Sequence, residues 1–149
     1  MEILKFNPIF KPTLWGSETW AVSAVKGSES VVLSGENKGL FLPQVVERYG
    51  ASFLGSKNSE KFGNDFPLLI KFIDARQDLS IQVHPDDALS AKRHGKMGKN
   101  EMWYVVDADR GSQLIAGFRN KIEIADYAQK VADGSIEDDL CILLIQIED

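Results

Sequence analysis

The sequence predicts a mainly β domain whose antiparallel strands are flanked by short peripheral helices. Two stretches, 66–84 and 101–118, are rich in β-branched and aromatic residues and contain turn-forming residues, which is typical of strands. Short helical patterns lie around them at 43–50, 85–92 and 121–133. No repeat or flexible linker divides the 149 residues, so we expect one domain.

The first third of the chain predicts extended segments followed by a helix. Segment 6–12 contains two prolines, which forbid a helix interior, so we expect it to run along an edge or surface. Segments 20–25 and 30–33 are short, apolar and followed by glycines, and they predict strands. Segment 43–50 begins with a proline and ends with a glycine, which favours a short helix.

The central stretch combines an apolar run with an alternating one. Residues 66–72 are apolar except for Lys71 and a proline, and residues 79–84 alternate strictly between apolar and polar side chains. In a strand, alternation sends every second side chain to the same face. The polar face would carry Ser80, Gln82 and His84. A face of this kind is either solvated or lines a site.

The second half predicts a helix, a hairpin and another helix. Asp86 and Asp87 favour a helix start for 85–92. Segment 101–107 predicts a strand that turns at 107–111 into a second strand at 113–118. Segment 121–133 has apolar residues at mostly helical spacing and is followed by a glycine. We expect the apolar tail, 139–149, to cover an open sheet edge.

Composition excludes several classes of partner. Twenty-two acidic and 17 basic side chains give a formal charge of −5, which disfavours nucleic acid and anionic membranes. Cys141 is the only cysteine, so an internal disulfide is impossible, and its apolar surroundings predict a buried, inert thiol. The amino terminus does not resemble a signal peptide, and the most apolar run, 141–147, is far shorter than the roughly 20 residues that span a bilayer. A cytoplasmic protein is expected.

Gln82, His84 and Glu101 are the candidate metal ligands. A Gln-x-His pair in one strand places an amide oxygen and an imidazole on the same face, and Glu101 opens a later predicted strand. One nitrogen and two oxygen donors suit zinc, but also iron, manganese, cobalt or nickel. On spacing alone, a half-exposed strand whose polar face meets water is the simpler interpretation.

Longer motifs make the comparison more specific. They read Phe-Pro-Leu-Leu-Ile-Lys-Phe-Ile-Asp-Ala at 66–75, Leu-Ser-Ile-Gln-Val-His-Pro-Asp-Asp at 79–87 and Lys-Asn-Glu-Met-Trp-Tyr-Val-Val at 99–106. These motifs resemble type I mannose-6-phosphate isomerase, a zinc enzyme of the cupin superfamily. Leu-Trp-Gly-Ser-Glu at 14–18 is similar to the short bacterial form of that family. The resemblance covers most of residues 4–138 and favours a metal site over a solvated strand.

The resemblance implies a cupin-like jelly-roll barrel, or double-stranded β-helix, that binds one zinc ion per chain. Gln82, His84 and Glu101 match the family's metal ligands, and a further histidine from a later strand would complete the set. Ser80 and Lys99 match positions lining the sugar-phosphate pocket, and Trp15 is expected to flank it.

The resemblance also implies an activity, the interconversion of mannose 6-phosphate and fructose 6-phosphate through an enediol. An ammonium such as that of Lys99 can hold phosphate or stabilise the negative charge that develops on an enediolate. Without the motif, Lys99 would be interpreted as a solvated lysine in the basic loop 92–99. The expected partner is a small sugar phosphate, while the oligomeric state is not predicted.

The sequence departs from the family pattern in two respects. The family's fourth metal ligand is a histidine in a Pro-Ala-Gly-x-x-His-Ala segment, whereas this sequence has no histidine after His94. His94 itself is expected to face solvent. The later active-site arginine of the family is also missing from this sequence. We therefore expect residues 1–149 to be the amino-terminal part of a single cupin-type isomerase domain, with weak metal binding and slow isomerisation.

Alternatives to this interpretation remain. They are a non-catalytic cupin that binds a sugar phosphate, an inactive truncated fragment, or a metal site whose vacant position is filled by water or a partner chain. An iron cupin oxygenase is disfavoured because the sequence holds only two histidines.

Overall fold

The computed structural model describes residues 3–80, 82, 84–118, 120–135 and 140–144. The chain divides into two compact units, Met1–Val83 and His84–Asp149. The first unit is built on a three-stranded antiparallel sheet with short helices. The second contains two helices and a two-stranded sheet among its described residues.

The sheet of the first unit begins with a tight hairpin. Strands β1 (Ile9–Thr13) and β2 (Gly16–Val22) are antiparallel, with Thr13 opposite Gly16. β1 is an edge strand, and an edge tolerates Pro12 because its missing N–H need not join a ladder. The predicted extended opening is thus confirmed. The strand predicted at 20–25 starts earlier and ends at Val22, because the hairpin brings Gly16 into register.

Gly16 occupies a position that has no room for a side chain. Its φ is +144°, and a Cβ there would overlap the carbonyl oxygen of Asp74. Asp74 belongs to β3 (Ile70–Ala75), which pairs with β2 on the side opposite β1. The close approach of the two backbones therefore requires glycine at this position.

Strand β3 starts later than the apolar run that predicts it. The run includes Pro67, which lacks a backbone N–H and restricts the residue before it, and the strand begins only at Ile70. Lys71, the charged residue in the run, has its Nζ 2.8 Å from Glu18 Oε1 on the neighbouring strand. Trp20 Nε1 donates to Glu18 Oε2 at 2.7 Å. The Glu18 side chain is only 10% exposed, so these partners compensate its burial.

Three short helices supply the core of the first unit. They are α1 (Leu42–Tyr49), α2 (Ala51–Leu54) and α3 (Ser56–Phe62). The helix predicted at 43–50 is confirmed as α1: the Gln44 side chain accepts a hydrogen bond from the Phe41 N–H at 2.9 Å, and Gly50 ends the helix. The buried residues of the core cluster, with the partly buried residues packed on them, are Leu42, Val46, Leu54, Phe6, Val22, Ala24, Phe53 and Phe66.

The strand predicted at 30–33 forms only isolated bridges. Val32 pairs with Phe6, and Val31 pairs with Phe41. The chain turns back soon after this segment, where the Gly39 N–H donates to the Val32 carbonyl at 2.9 Å, and among the described residues its strand pairing is limited to these two bridges.

The second unit contains α4 (Asp87–His94), β4 (Gln113–Phe118), α5 (Ile124–Asp133) and β5 (Leu140–Leu144). The helix predicted at 85–92 is confirmed as α4, whose N-cap Asp86 accepts from the Leu89 N–H at 2.8 Å. The helix predicted at 121–133 is confirmed as α5, which ends at a left-handed glycine. The Phe118 ring meets the Tyr127 ring edge-on at 5.9 Å, which packs β4 on α5.

The predicted hairpin between 101–107 and 113–118 is wrong. β4 forms as predicted, but its partner is β5, with Gln113 opposite Leu144. Residues 101–107 are not in a strand. Strand propensity reflects packing on a half-buried surface, whereas Met102, Tyr104 and Val106 are 91%, 84% and 68% exposed.

Two further predictions fall partly outside the described residues. In the alternating segment 79–84, residues 79, 80, 82 and 84 are not in a strand, while Ile81 and Val83 lie outside the described residues. In the tail, 140–144 forms β5 against β4, whereas 139, 145–149 and the side chain of Cys141 lie outside them. Within the described part of the chain, no helix has the length and apolar character needed to cross a bilayer.

We predict that Gly16→Ala lowers the free energy of unfolding by about 3 kcal/mol or more, because a methyl group must displace the β3 backbone. Gly27→Ala is the matched control: Gly27 also has a positive φ, +81°, but nothing lies within 4 Å of the position that its methyl group would take. That variant should lose only about 1 kcal/mol. Urea unfolding followed by circular dichroism measures both, and equal losses would contradict the steric explanation.

Candidate functional site

A histidine and a glutamate meet in the second unit. His84 Nε2 lies 3.0 Å from Glu101 Oε2, and the two side chains are 24% and 33% exposed. His84 directly precedes Pro85 and the start of α4, while Glu101 follows the loop after α4. Both groups are therefore half-buried but open to a small ligand.

Lys99 engages the other oxygen of the same carboxylate. Its Nζ lies 2.9 Å from Glu101 Oε1. The hydrogen bond from the Lys99 ammonium lowers the pKa of Glu101 below its ordinary 4.5; slight burial acts against this, while the charges of Lys99 and His84 reinforce it. Glu101 is thus ionised at neutral pH, as a metal ligand or an acceptor for a cationic group must be.

The loop that carries Lys99 and Glu101 is tied back to α4. The Gly98 N–H donates to Asp87 Oδ1 at 2.8 Å, and the Ser90 hydroxyl donates to the Met97 carbonyl at 3.0 Å. Ser90 is buried. These contacts join the beginning of the helix to the end of the loop.

Ser80 and Gln82 lie close together in the first unit. The Gln82 amide nitrogen donates to Ser80 Oγ at 2.9 Å, and both residues are exposed. This bond uses the nitrogen of the amide and does not engage its oxygen, which is the atom that would bind a metal.

Trp15 lies in the turn between β1 and β2. Its carbonyl accepts hydrogen bonds from the backbone N–H groups of Arg76 at 2.8 Å and Gln77 at 3.1 Å. Among the described residues, its buried indole N–H has no hydrogen-bond partner. A buried donor without a partner is costly, so Trp15 is an exception to the usual pairing of buried polar groups.

The His84 and Glu101 pair fits a divalent metal in donor type and separation. Imidazole nitrogen and carboxylate oxygen are ordinary zinc ligands, and two ligand atoms about 2.0–2.1 Å from a tetrahedral ion lie roughly 3.3 Å apart. The observed 3.0 Å is a hydrogen-bond distance between the two groups and is also close to this separation. Over the described ranges, no three histidine, cysteine, aspartate or glutamate side chains cluster to hold a metal.

The structure thus brings some predicted site residues together. It joins His84, Glu101 and Lys99 in one unit and Ser80 to Gln82 in the other. Their assignment as ligands and pocket residues stays a prediction. His94 is exposed at the end of α4, as expected. The contact of Asp87 with Gly98 was not anticipated, since the Asp-Asp pair indicated only a helix start.

Comparison with known proteins gives consistent results. The model of the family "Phosphomannose isomerase type I, catalytic domain" matches residues 7–119. The mannose-6-phosphate isomerase of Streptococcus mutans is 39% identical over 123 residues, covering 83% of this chain and 37% of that protein. Mannose-6-phosphate isomerase ManA of Bacillus subtilis is 35% identical over 133 residues, covering 78% of this chain and 41% of that protein.

A solved structure shows the same fold. The crystal structure of the mannose 6-phosphate isomerase from Bacillus subtilis matches with a TM-score of 0.82 and 29% identity, over 98% of this chain and 50% of that one. The similarity confirms the predicted cupin-like fold. The chain spans half or less of the length of each of these relatives.

We predict that Lys99→Met raises the pKa of Glu101 towards the ordinary carboxyl value of 4.5, because the variant loses both the hydrogen bond and the charge of the ammonium. A carboxyl ¹³C NMR titration of the metal-free chain measures this. Lys96→Met, in the same loop, is the control and should leave the Glu101 titration unchanged.

The same substitution has a predicted effect on stability. A lowered carboxyl pKa contributes stability that is present above the unfolded pKa and is lost as the pH falls through the folded pKa. Wild type and Lys99→Met should therefore differ in unfolding free energy above about pH 4.5 and converge in more acidic solution. An unchanged Glu101 titration would contradict both expectations.

Proposed function

The chain belongs to the type I phosphomannose isomerase family, and we propose that its protein interconverts mannose 6-phosphate and fructose 6-phosphate with one bound zinc ion. The observation that carries the proposal is the 3.0 Å contact of His84 Nε2 with Glu101 Oε2, inside the segment matched by the family model. Because the chain spans half or less of these relatives, activity and substrate rest on similarity to them. A cytoplasmic location is part of the same proposal.

His84 and Glu101 are proposed as zinc ligands, joined by the amide oxygen of Gln82. The support for the first two is their separation and their half-buried setting. The support for Gln82 is its position two residues before His84, together with an amide oxygen that the bond to Ser80 does not use. Lys99 would orient Glu101 by holding its second oxygen.

The proposed reaction is a proton transfer without an external oxidant. The C2–H bond of the aldose breaks and a C1–H bond forms, while the C2 hydroxyl loses its proton and the C1 oxygen gains one, through an enediol. A bound zinc ion would supply a Lewis acid that polarises the oxygens on these carbons.

Lys99 is proposed as the catalytic cation. Its side chain is 49% exposed, so the ammonium can reach a ligand while it contacts Glu101. A fixed ammonium stabilises negative charge that develops on the sugar, and it can also bind phosphate. The Ser80 hydroxyl is proposed as a hydrogen-bonding group for the sugar phosphate. The Trp15 side chain, whose buried indole N–H has no partner among the described residues, is proposed to flank the same pocket.

We predict that His84→Ala and Glu101→Ala each lower isomerase activity by about 100-fold or more, because each removes a ligand of the proposed zinc ion. The assay couples fructose 6-phosphate formation to a dehydrogenase, with zinc supplied. His94→Ala is the matched control: it replaces the other histidine of the chain, which is exposed at the end of α4, and should retain wild-type turnover.

Zinc content and substrate binding separate the possible outcomes. Treatment with a chelator should abolish turnover, and zinc should restore it. Turnover that survives both ligand substitutions would contradict the proposal. Mannose 6-phosphate binding in calorimetry without turnover would instead support the alternative, a sugar-phosphate-binding cupin that is not catalytic.

A further inference from the structure

The chain leaves His84, forms one helix and returns to Glu101 through a glycine that is pressed against the start of that helix. A Cβ on Gly98 would lie 2.7 Å from the Pro85 carbonyl oxygen, 2.7 Å from the Asp86 carbonyl carbon and 2.8 Å from the Asp87 nitrogen. All three are backbone atoms, so none can move aside as a flexible side chain would. Only glycine allows the two backbones to approach this closely.

The limit at Gly98 is space, not backbone conformation. Gly98 is not among the glycines with positive φ, so a left-handed backbone is not the reason for glycine at this position. Gly95, three residues earlier, has the opposite character: its φ is +63°, and nothing lies within 4 Å of the position that a methyl group would take there. The two glycines of this loop therefore separate steric packing from conformational freedom.

Two hydrogen bonds hold the loop in the same place. Asp87 Oδ1 accepts from the Gly98 N–H at 2.8 Å, and the buried Ser90 hydroxyl donates to the Met97 carbonyl at 3.0 Å. A carboxylate acceptor makes the first bond charge-assisted and stronger than a neutral one. The loop end is thus fixed to α4 by packing and by polar contacts together.

This contact lies immediately beside the candidate ligands on both segments of the chain. Pro85 directly follows His84, and Gly98 directly precedes Lys99, with Glu101 three residues beyond Gly98. Fixing Gly98 against 85–87 therefore limits how far His84 and Glu101 can separate. A metal site depends on such positioning, since small displacements of ligands weaken binding.

We propose that Asp87 and Gly98 are positioning residues that hold His84 and Glu101 at ligand distance. The inference rests on the proposed function for its zinc readout, but the spacing of the two side chains exists without metal. Asp87 acts through the Gly98 N–H and does not itself touch the metal or the substrate. The acceptor oxygen of Asp87 is what the positioning needs, and the negative charge only strengthens the bond.

The experiment compares two pairs of variants. Gly98→Ala should separate the ligands, whereas Gly95→Ala changes the helix end without a clash. Asp87→Ala removes the acceptor and Asp87→Asn keeps one, while both remove the charge, so the second pair isolates the hydrogen bond. If Gly98→Ala fails to fold, as circular dichroism would show, the Asp87 pair tests the proposal alone.

Two measurements are made on each variant. The first is the ¹⁵N NMR signal of the His84 imidazole in the metal-free chain, assigned with a His94→Asn variant; Gly98→Ala and Asp87→Ala should shift it because the contact with Glu101 is lost. The second is zinc affinity from competition with a chelator, which should fall about 10- to 100-fold in the same two variants. Gly95→Ala and Asp87→Asn should stay near wild type in both.

The outcomes distinguish this proposal from the proposed function. If the wild-type chain does not bind zinc, the metal proposal fails, and the imidazole signal still tests the positioning. If wild type binds zinc and Asp87→Ala matches Asp87→Asn in both measurements, the positioning role is overturned. Loss of zinc affinity in Gly95→Ala equal to that in Gly98→Ala would also overturn it, because general loosening of the loop would then explain the effect.

Discussion

The reversal of the chain around α4 is the constraint on which the candidate site depends. His84 stands before the helix and Glu101 after the loop, seventeen residues apart in sequence, yet their side chains are 3.0 Å apart. The reversal has two requirements. The helix must start directly after Pro85, and the Asp86 N-cap allows this. The loop that follows the helix must then be able to lie against the helix start. Glycine at 98 satisfies the second condition because any side chain would meet backbone atoms.

Charge compensation organises both units in the same way. In the second unit, the two oxygens of Glu101 are shared between His84 and Lys99, so the carboxylate is held by two side chains and its pKa is lowered. In the first unit, the oxygens of Glu18 are shared between Lys71 and Trp20. Lys71 and Trp20 are themselves cross-strand partners, so the sheet register brings both donors to one acceptor.

The two carboxylates differ in what they leave available. The Glu18 side chain lies on the sheet and is only 10% exposed. Its ion pair with Lys71 mainly avoids the energetic penalty of a buried carboxylate without a partner. Glu101 and its partners are between 24% and 49% exposed, so a small ligand can reach them. Accessibility, together with the adjacency of an imidazole and an ammonium group, distinguishes a candidate site from a structural ion pair.

Local chemistry in the sequence determined the helices and their ends. The proline at the start of α1 and the glycine after it, the aspartates at the start of α4 and the glycine after α5 each act within a few residues and are found where they were predicted. The motifs around His84 and Glu101 likewise identified the family. Pairing partners were decided only by the tertiary structure, because a strand forms against whichever backbone lies beside it. Thus β4 pairs with β5, and 101–107 stays out of a strand despite its propensity. The same holds for the approach of Gly98 to 85–87, since no sequence pattern reports a distance between two backbones.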